Sequence, residues 1–426
     1  MNRYSQLKKY LTSRAVLAPW TLDGDRDGGG AAAIVIPALA ESTSLPATLK
    51  SIAVNDPRLL SRTLVIVVVN NRSDASDEVR RDNEHTLDWL ASRPFPGLRL
   101  VWINAAAAGL ELPAGQGVGL ARKIGFDAAL QRLDWNSVPI LISLDADTLV
   151  EPHYLAAVFR HFAAATATGA VIPFRHQQGI DLLQEEAIRA YELYLRSYQF
   201  GLQQAESHYA YHSIGSAFAC RAQGYIEAGG MNRRLAGEDF YFLQQLHKVG
   251  GISLLRGTVV CPAARSSARV PFGTGRIVER HQQGTRPGYQ FIDQHSFCLL
   301  RQWLREVEGA SAASAAVLLG RARQLSTVLA EFLEERNFSV IWGRLQDNYR
   351  HEQQRISAFH HWFDALRTRQ LLTRLSGVTV EPVALVAELL EWGGYPGRLT
   401  RSEQLALLER AQGAGTASAP QGFNGL

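Results

Sequence analysis

The sequence predicts an α/β fold: a mostly parallel sheet flanked by helices, followed by an all-helical C-terminal region. Three observations lead there. Between Ala31 and Asp147, continuous apolar runs alternate with stretches of helical length. Runs such as "TLVIVVVN" are β-branched almost throughout, which marks strands buried on both faces. After about Ser296, long helical patterns such as "ARQLSTVLAEFLEERNFSVIWGRL" take over.

The elements follow in order. Residues 1–30 form a lead-in whose "DGDRDGGG" reads as a glycine-rich linker. In "AAAIVIPALAES" the run Ala33–Ile36 is a buried strand, expected to stop at Pro37. "SLPATLKSIAV" is a helix. "TLVIVVVNNRSD" is a second strand ending at Asn70, and "DEVRRDNEHTLDWLAS" a charged helix. "LRLVWIN" is a third strand. "GLARKIGFDAALQRL" is helical, with Leu120, Ile124, Ala128 and Leu133 on one face, and "PILISLD" is the fourth strand. Strands alternating with helices imply right-handed βαβ units, and ligands then bind beyond the carboxyl ends of the strands. That rule marks Pro37–Glu41, Asn70–Asp74, Asn104–Gly119 and Asp145–Asp147. Further on, Asp181–Ser207 is helical, a glycine-punctuated segment leads to a helix starting near Glu238, and "GTVVCPAARSSARVPFGTG" holds a short strand and a basic loop.

Composition narrows the class. The chain has 426 residues, 46% apolar and 20% charged, which suits a globular protein of more than one small domain. Lys plus Arg number 44 against 40 Asp plus Glu, for a formal charge of +4, and no block of like charge offers nucleic acid a footprint. Cys220, Cys261 and Cys298 are too far apart for metal-ligand spacing and read as free thiols. The first twenty residues lack the apolar core of a secretory signal, and no run approaches a membrane span. The expectation is a cytoplasmic protein without a transmembrane segment.

Three motifs carry chemistry. In "LDADT", Asp145 and Asp147 occupy alternate positions at a strand end, so both carboxylates leave toward the crevice. Carboxylates suit Mg²⁺ or Mn²⁺ carrying a diphosphate. The plainer reading is a turn cap and a helix cap. A haloacid-dehalogenase-like phosphatase would place its Asp pair after the first strand, and Leu149 stands where its Thr or Val belongs. "GQGVGLARKIG" resembles a dinucleotide-binding turn, but follows the third strand rather than the first. Arg122 and Lys123 at that helix start are placed to face a diphosphate. In "AGEDFYF", Glu238 and Asp239 read as helix caps or as a general base. Of the histidines His176, His212 and His247, only His212, beside "IGSAF", reads as a substrate contact.

Taken in order, "IPALAES", "VVVNNRSDAS", "AGQGVGLARKIGFDAAL", "ISLDADTLVEP", "GSAFACRAQGYIEAGGM" and "GEDFYFLQQL" resemble the family 2 glycosyltransferases, over roughly Ala31–Gly275. The resemblance implies a GT-A (Rossmann-like) fold. It implies a glycosyltransferase domain at 31–275 (a nucleotide-sugar half, 31–150, and an acceptor half, 151–275); beyond it, helical patterns mark a region at 276–412 and small polar residues a disordered tail at 413–426. It implies an inverting transfer of a sugar from a UDP- or GDP-sugar to an acceptor saccharide or other hydroxyl compound. Pro37, Ala38 and Glu41 would line the base and ribose pocket, with Asn70, Asn71 and Asp74 completing it. Two asparagines stand where the family usually has an acid. Gly117, Arg122 and Lys123 would lie beside the sugar diphosphate. Asp145 and Asp147 would hold Mn²⁺ or Mg²⁺, Asp147 more directly, and Asp145 would turn toward the ribose or stand behind the metal's direct ligands. Gly215–Ala217 would form the acceptor wall, and Asp239, next to Glu238, would be the base. The family's usual metal-binding His after the last strand is missing from "CPAARSSARVPFGTG"; Arg265 or Arg269 would hold the diphosphate instead. The helical region reads as an acceptor-binding or homo-oligomerising module, or as a stabilising cap.

Two alternatives remain at the level of sequence. A sugar nucleotidyltransferase would carry a glycine-rich basic loop after the first strand, and "IPALAES" has neither Gly nor Lys. A catalytically inactive nucleotide-binding protein on this scaffold would have lost an acid, yet Asp145, Asp147, Glu238 and Asp239 are all present.

Overall fold

A computed structural model describes residues 3–25, 27–265, 289–377 and 381–414. They fall into two compact units. The first comprises residues up to 188, 213–265 and 410–414, and the second 189–212 and 289–409.

The first unit is the α/β part. Its strands are β1 (Leu22–Gly24), β2 (Ala32–Ala38), β3 (Thr63–Asn70), β4 (Arg99–Ala105), β5 (Ile140–Ser143), β6 (Leu149–Val150), β7 (Gly169–Val171), β8 (Phe218–Arg221), β9 (Ile252–Leu254) and β10 (Val260–Cys261). Eight of them form one sheet in the order β1-β4-β3-β2-β5-β8-β7-β9, and β6 and β10 pair separately. Pairing is parallel for β2–β3, β2–β5, β3–β4 and β7–β9, and antiparallel for β1–β4, β5–β8 and β7–β8. Every residue of β2 and β3 is buried. At about 1.5–3 kcal/mol for each fully buried aliphatic side chain, these two strands anchor the core.

Helices α1 (Arg3–Ser13), α2 (Leu45–Ala53), α3 (Pro57–Leu60), α4 (Asp77–Ala91), α5 (Val118–Leu130), α6 (Tyr154–Ala164), α8 (Ala222–Glu227) and α9 (Glu238–Gly250) belong to this unit, and α7 (Leu182–Gln204) runs from it into the second. Three local expectations change. The first strand does not stop at Pro37. Val35 accepts from the Leu144 amide on the β5 side, so the alternation of a parallel strand turns residue 37 to that side too, where pairing has already ended at Val35↔Ser143. The missing N–H of Pro37 therefore costs no ladder bond. Helix α5 has no polar face: Gly119 to Leu130 are buried all round, including Arg122, Lys123 and Asp127, and Leu133 lies beyond its end. The lead-in is also more than a linker, since it supplies α1 and the edge strand β1. Strand β8, embedded in the glycine-punctuated segment, splits the parallel register by running against both β5 and β7.

The second unit is helical. Its helices run Gln294–Gly309, Ala315–Leu325, Thr327–Glu335, Phe338–Asn348, Glu352–Trp362, Ala365–Leu375, Pro382–Trp392 and Arg401–Ala411. They close around Phe297, Leu300, Trp303, Leu333, Phe338, Trp342, Phe359 and Leu389. Ser314, Ser326, Asp293 and Asp364 cap four of them through side-chain oxygens. No described helix is long and apolar enough to cross a membrane. Of the tail expected to be disordered, residues 415–426 lie outside the described residues, and Ala414 before them is buried.

Candidate functional site

The end of β5 delivers the Asp pair. The turn Asp145–Thr148 closes by a Thr148 N–H to Asp145 carbonyl bond of 3.2 Å, and Thr48 on α2 donates to the Ala146 carbonyl at 2.8 Å. The next helix, α6, starts only at Tyr154 with His153 at its N-cap. Asp147 therefore caps no helix. Gln177 holds the backbone here, donating to the Asp147 carbonyl at 2.9 Å and to the Cys261 carbonyl at 2.8 Å.

Two arginines organise the acids. Arg122 comes from the first turns of α5 and is 2% exposed. Its Nε donates to Ser143 Oγ at 3.0 Å, its Nη1 to Glu238 and its Nη2 to Asp145. Ser143 in turn donates to the Gly215 carbonyl at 2.6 Å. Two glycines make this approach feasible. A Cβ on Gly215 would collide with the Arg122 guanidinium. A Cβ on Gly119 would stand 2.5 Å from the Arg234 carbonyl oxygen and 3.0 Å from Glu238 Cβ. The second arginine is Arg265, whose Nε donates to Asp147 Oδ2 at 2.8 Å and whose Nη2 reaches Glu41. Arg269, the other basic residue expected at the diphosphate, lies outside the described residues. Glu41 from the β2 end, Asp145 and Asp147 from the β5 end, and Glu238 and Asp239 from the α9 start thus gather around two guanidinium groups.

Glu238 and Asp239 are the first two residues of α9, behind Gly237 in the left-handed region with φ 70°. The N-cap is Gly237 and makes no side-chain capping bond, so neither acid is the helix cap. Both still gain from the positive end of the helix dipole. Asn232 fixes the turn by donating to the Glu238 carbonyl at 2.8 Å, and Asp239 Oδ1 accepts from the Phe240 N–H at 2.7 Å.

Burial dominates the electrostatics. It pushes Asp147 up to about 6, with Arg265 opposing and Asp145 and Glu41 adding to the rise. It pushes Glu238 up to about 7 against the pull of Arg122, with Asp239 reinforcing, and it raises Asp239 as well. Burial disfavours the cation of Arg122, but Asp145, Glu238 and Asp239 outweigh it and hold the group charged. Arg265 is likewise held charged by Asp147 and Glu41 against its own burial.

Other residues singled out from sequence lie apart from these acids or are engaged elsewhere. Lys123 points away from the Arg122 cluster: its Nζ pairs with Asp127 at 3.0 Å and donates to the Tyr10 hydroxyl at 2.8 Å. Asp127 also accepts from Tyr10, Tyr225 and the Val16 N–H, each at 2.8 Å, so this buried node ties α1 to α5 and α8. Asn70 is buried and donates to the Ala38 and Val68 carbonyls at 3.1 and 3.0 Å. Asn71 accepts from Asn83 at 2.8 Å, and Asn83 in turn accepts from the Ala40 N–H at 2.9 Å. These amides stitch the ends of β2 and β3 to α4. Asp74 pairs with Arg72 at 2.9 Å at the surface. Gly117 is the N-cap of α5. Pro37 and Ala38 close β2 beside the crevice. Buried His176 packs edge-on against Phe174, and His212 Nδ1 lies 3.4 Å from Gln199 Oε1 in the second unit. His247 sits within α9.

Sequence reasoning did not single out Ser143, Gln177 or Thr48. Ser143 and Thr48 read as ordinary strand and helix residues, and nothing in "FRHQQG" marks the first of its neighbouring glutamines.

Known proteins offer loose overlaps. No family model matches the chain, and no curated protein sequence matches it. Solved structures do overlap it. S. aureus TarS 1–349 in complex with UDP-GlcNAc aligns at 12% identity over 90% of this chain and 88% of that one, with a TM-score of 0.38. The mannosyltransferase PcManGT from Pyrobaculum calidifontis, in complex with GDP-Man and Mn²⁺, aligns at 14% identity over 96% and 93%, with a TM-score of 0.39. GalNAc-T7 with UDP, GalNAc and Mn²⁺ aligns at 16% identity over 56% and 44%, with a TM-score of 0.35. Every one of these scores lies below 0.5.

Proposed function

We propose that the chain is an inverting, family 2-like glycosyltransferase of GT-A fold that moves a sugar from a UDP- or GDP-sugar to an acceptor hydroxyl. The observation that carries this reading is the convergence on Arg122 of Asp145 and Glu238, acids 93 residues apart by number (238 − 145), from the end of a sheet strand and the start of a helix. The order of motifs read from the sequence supports it independently.

The donor's diphosphate would lie at the carboxyl end of β5, between Arg122 and Arg265, whose fixed cations offset its charge as the nucleoside diphosphate leaves. Pro37, Ala38, Glu41 and the loops after Asn70 and Asn71, out to Asp74, would border the base and ribose. The carboxylates fit a hard divalent cation. Their oxygen donors are of the right kind, and the guanidinium between Asp147 and Glu41 supports a preference for positive charge at this spot. Asp147, with Asp145, would hold Mn²⁺ or Mg²⁺, which supplies charge neutralisation for the leaving group. Asp239 would take the proton from the acceptor hydroxyl, and Gly215–Ala217 would border the acceptor. Attack from the side opposite the diphosphate inverts the anomeric carbon. Glu238 would act on Asp239 through charge and through its hold on Arg122. The helical second unit would contribute to acceptor binding or self-association.

The test is product release. Purified protein is incubated with a panel of UDP- and GDP-sugars and Mn²⁺, and free nucleoside diphosphate is measured. Release from at least one donor, abolished in Asp239→Asn, supports the reading; no release from any donor, or full release by Asp239→Asn, opposes it.

A further inference from the structure

Among the described residues, one group of three metal-ligating side chains converges, and it lies in the helical unit. It consists of Glu308 near the end of helix Gln294–Gly309, His360 near the end of helix Glu352–Trp362, and His208 in the turn after α7. One ligand atom from each lies within 4.8 Å of the others. We propose that His208, Glu308 and His360 form a binding site for a borderline divalent transition ion, Zn²⁺ foremost, that clips these three segments together.

The chemistry of the donors selects the ion. Two imidazole nitrogens and one carboxylate oxygen suit zinc, whereas Mg²⁺ and Mn²⁺ favour oxygen sets. Ligand bonds of about 2.0–2.2 Å place tetrahedral donors roughly 3.5 Å apart, a spacing these atoms can reach by small side-chain adjustments. The inner two members are already in contact: His360 Nε2 is 2.9 Å from Glu308 Oε1. A proton shared across that contact is what the metal would displace. His360 is held in place. It is buried, Phe359 meets it edge-on at 5.3 Å, and Tyr209 donates to its carbonyl at 3.0 Å.

His208 stacks on His360, centroids 3.8 Å apart with 25° between planes. Stacked rings aim their lone pairs side by side, so binding requires one ring to turn. His208 is the exposed member, which gives it that freedom and gives the ion an entry path. Three protein ligands leave the fourth position to water.

The site is independent of the transferase reading, and calorimetry separates the two. Zn²⁺ is titrated into an Asp145→Asn/Asp147→Asn protein, which removes the competing carboxylates, and into the same protein carrying His208→Ala or Glu308→Gln. The expected result is saturable binding of one Zn²⁺ per chain, weakened about tenfold or more in both added variants, with the melting temperature of the parent raised by zinc. Manganese in place of zinc is expected to bind at least tenfold more weakly. Equal zinc binding with and without His208→Ala, or no saturable binding by the parent, overturns the proposal. His208 is exposed, so its replacement leaves the core intact, and circular dichroism of each variant verifies this.

Discussion

Arg265 donates from Nε to Asp147 Oδ2 at 2.8 Å, placing a fixed cation on the carboxylate assigned above to the metal. The same guanidinium reaches Glu41. A guanidinium and a divalent ion cannot both neutralise Asp147 fully, so they compete. Arg265→Ala is expected to tighten Mn²⁺ binding severalfold while weakening nucleoside diphosphate binding. Paired calorimetric titrations of Mn²⁺ and of UDP or GDP check this. Looser Mn²⁺ binding in the variant would show that Arg265 assists the metal instead.

Arg122 is the buried hub. Removing its charge in Arg122→Met leaves Glu238 buried without its cation and deprives Asp145 of its partner. Stripping one member from a buried ion pair costs about 3–5 kcal/mol. Chemical denaturation should register a loss of that size. Arg122→Lys keeps the charge but not the three-pronged fork, and should fall between.

Gly215 permits the approach of Arg122, because any Cβ there meets the guanidinium. Gly215→Ala is therefore expected to disturb the Asp145–Arg122–Glu238 chain and reduce transfer by about tenfold or more, as small misplacements at catalytic groups do. Transfer by the variant at the parental rate would show that the fork is not needed in this position.

The raised carboxyls make stability and activity run oppositely with pH. Glu238 is pushed up to about 7 and Asp147 to about 6, from ordinary values of 4.5 and 3.8. Between those values the folded chain binds protons that the unfolded chain has already lost, so folding stability falls as pH rises from about 4 to 7 at these groups. The proposed base, Asp239, must be ionised for transfer, and burial raises it too, so kcat/KM should climb with pH on the acid side, with its midpoint shifted upward. Asp239 and Glu238 repel each other when both are ionised, so Glu238→Gln should move that midpoint down. A midpoint unchanged by Glu238→Gln would separate the two groups.

Most of the scaffold was legible in the sequence because its strands are buried on both faces. Uninterrupted runs such as Val65–Val69 admit few other readings, and their ends mark the crevice. The departures have local causes. Pro37 looked like a strand terminator, yet its missing donor falls where β5 no longer pairs. Strand β8 is four residues within a glycine-rich stretch, too short for periodicity to reveal. Lys123 follows Arg122 in sequence, but one residue is about 100° of helix, which turns it to Asp127 instead of the acids. Arg122 was expected to face a diphosphate, and no pattern in the sequence reveals that Glu238 and Asp145 already meet on it. That contact depends on the antiparallel insertion of β8, which brings the 215–238 segment back across β5.

The most direct measurement of the central claim is calorimetric titration of UDP- and GDP-sugars, with Mn²⁺ present, into wild-type protein and Asp147→Asn. Saturable binding of at least one nucleotide sugar by wild type, lost or weakened by about a hundredfold in Asp147→Asn, is the expected result. Equal binding by the two proteins, or no binding of any nucleotide sugar by wild type, would contradict it.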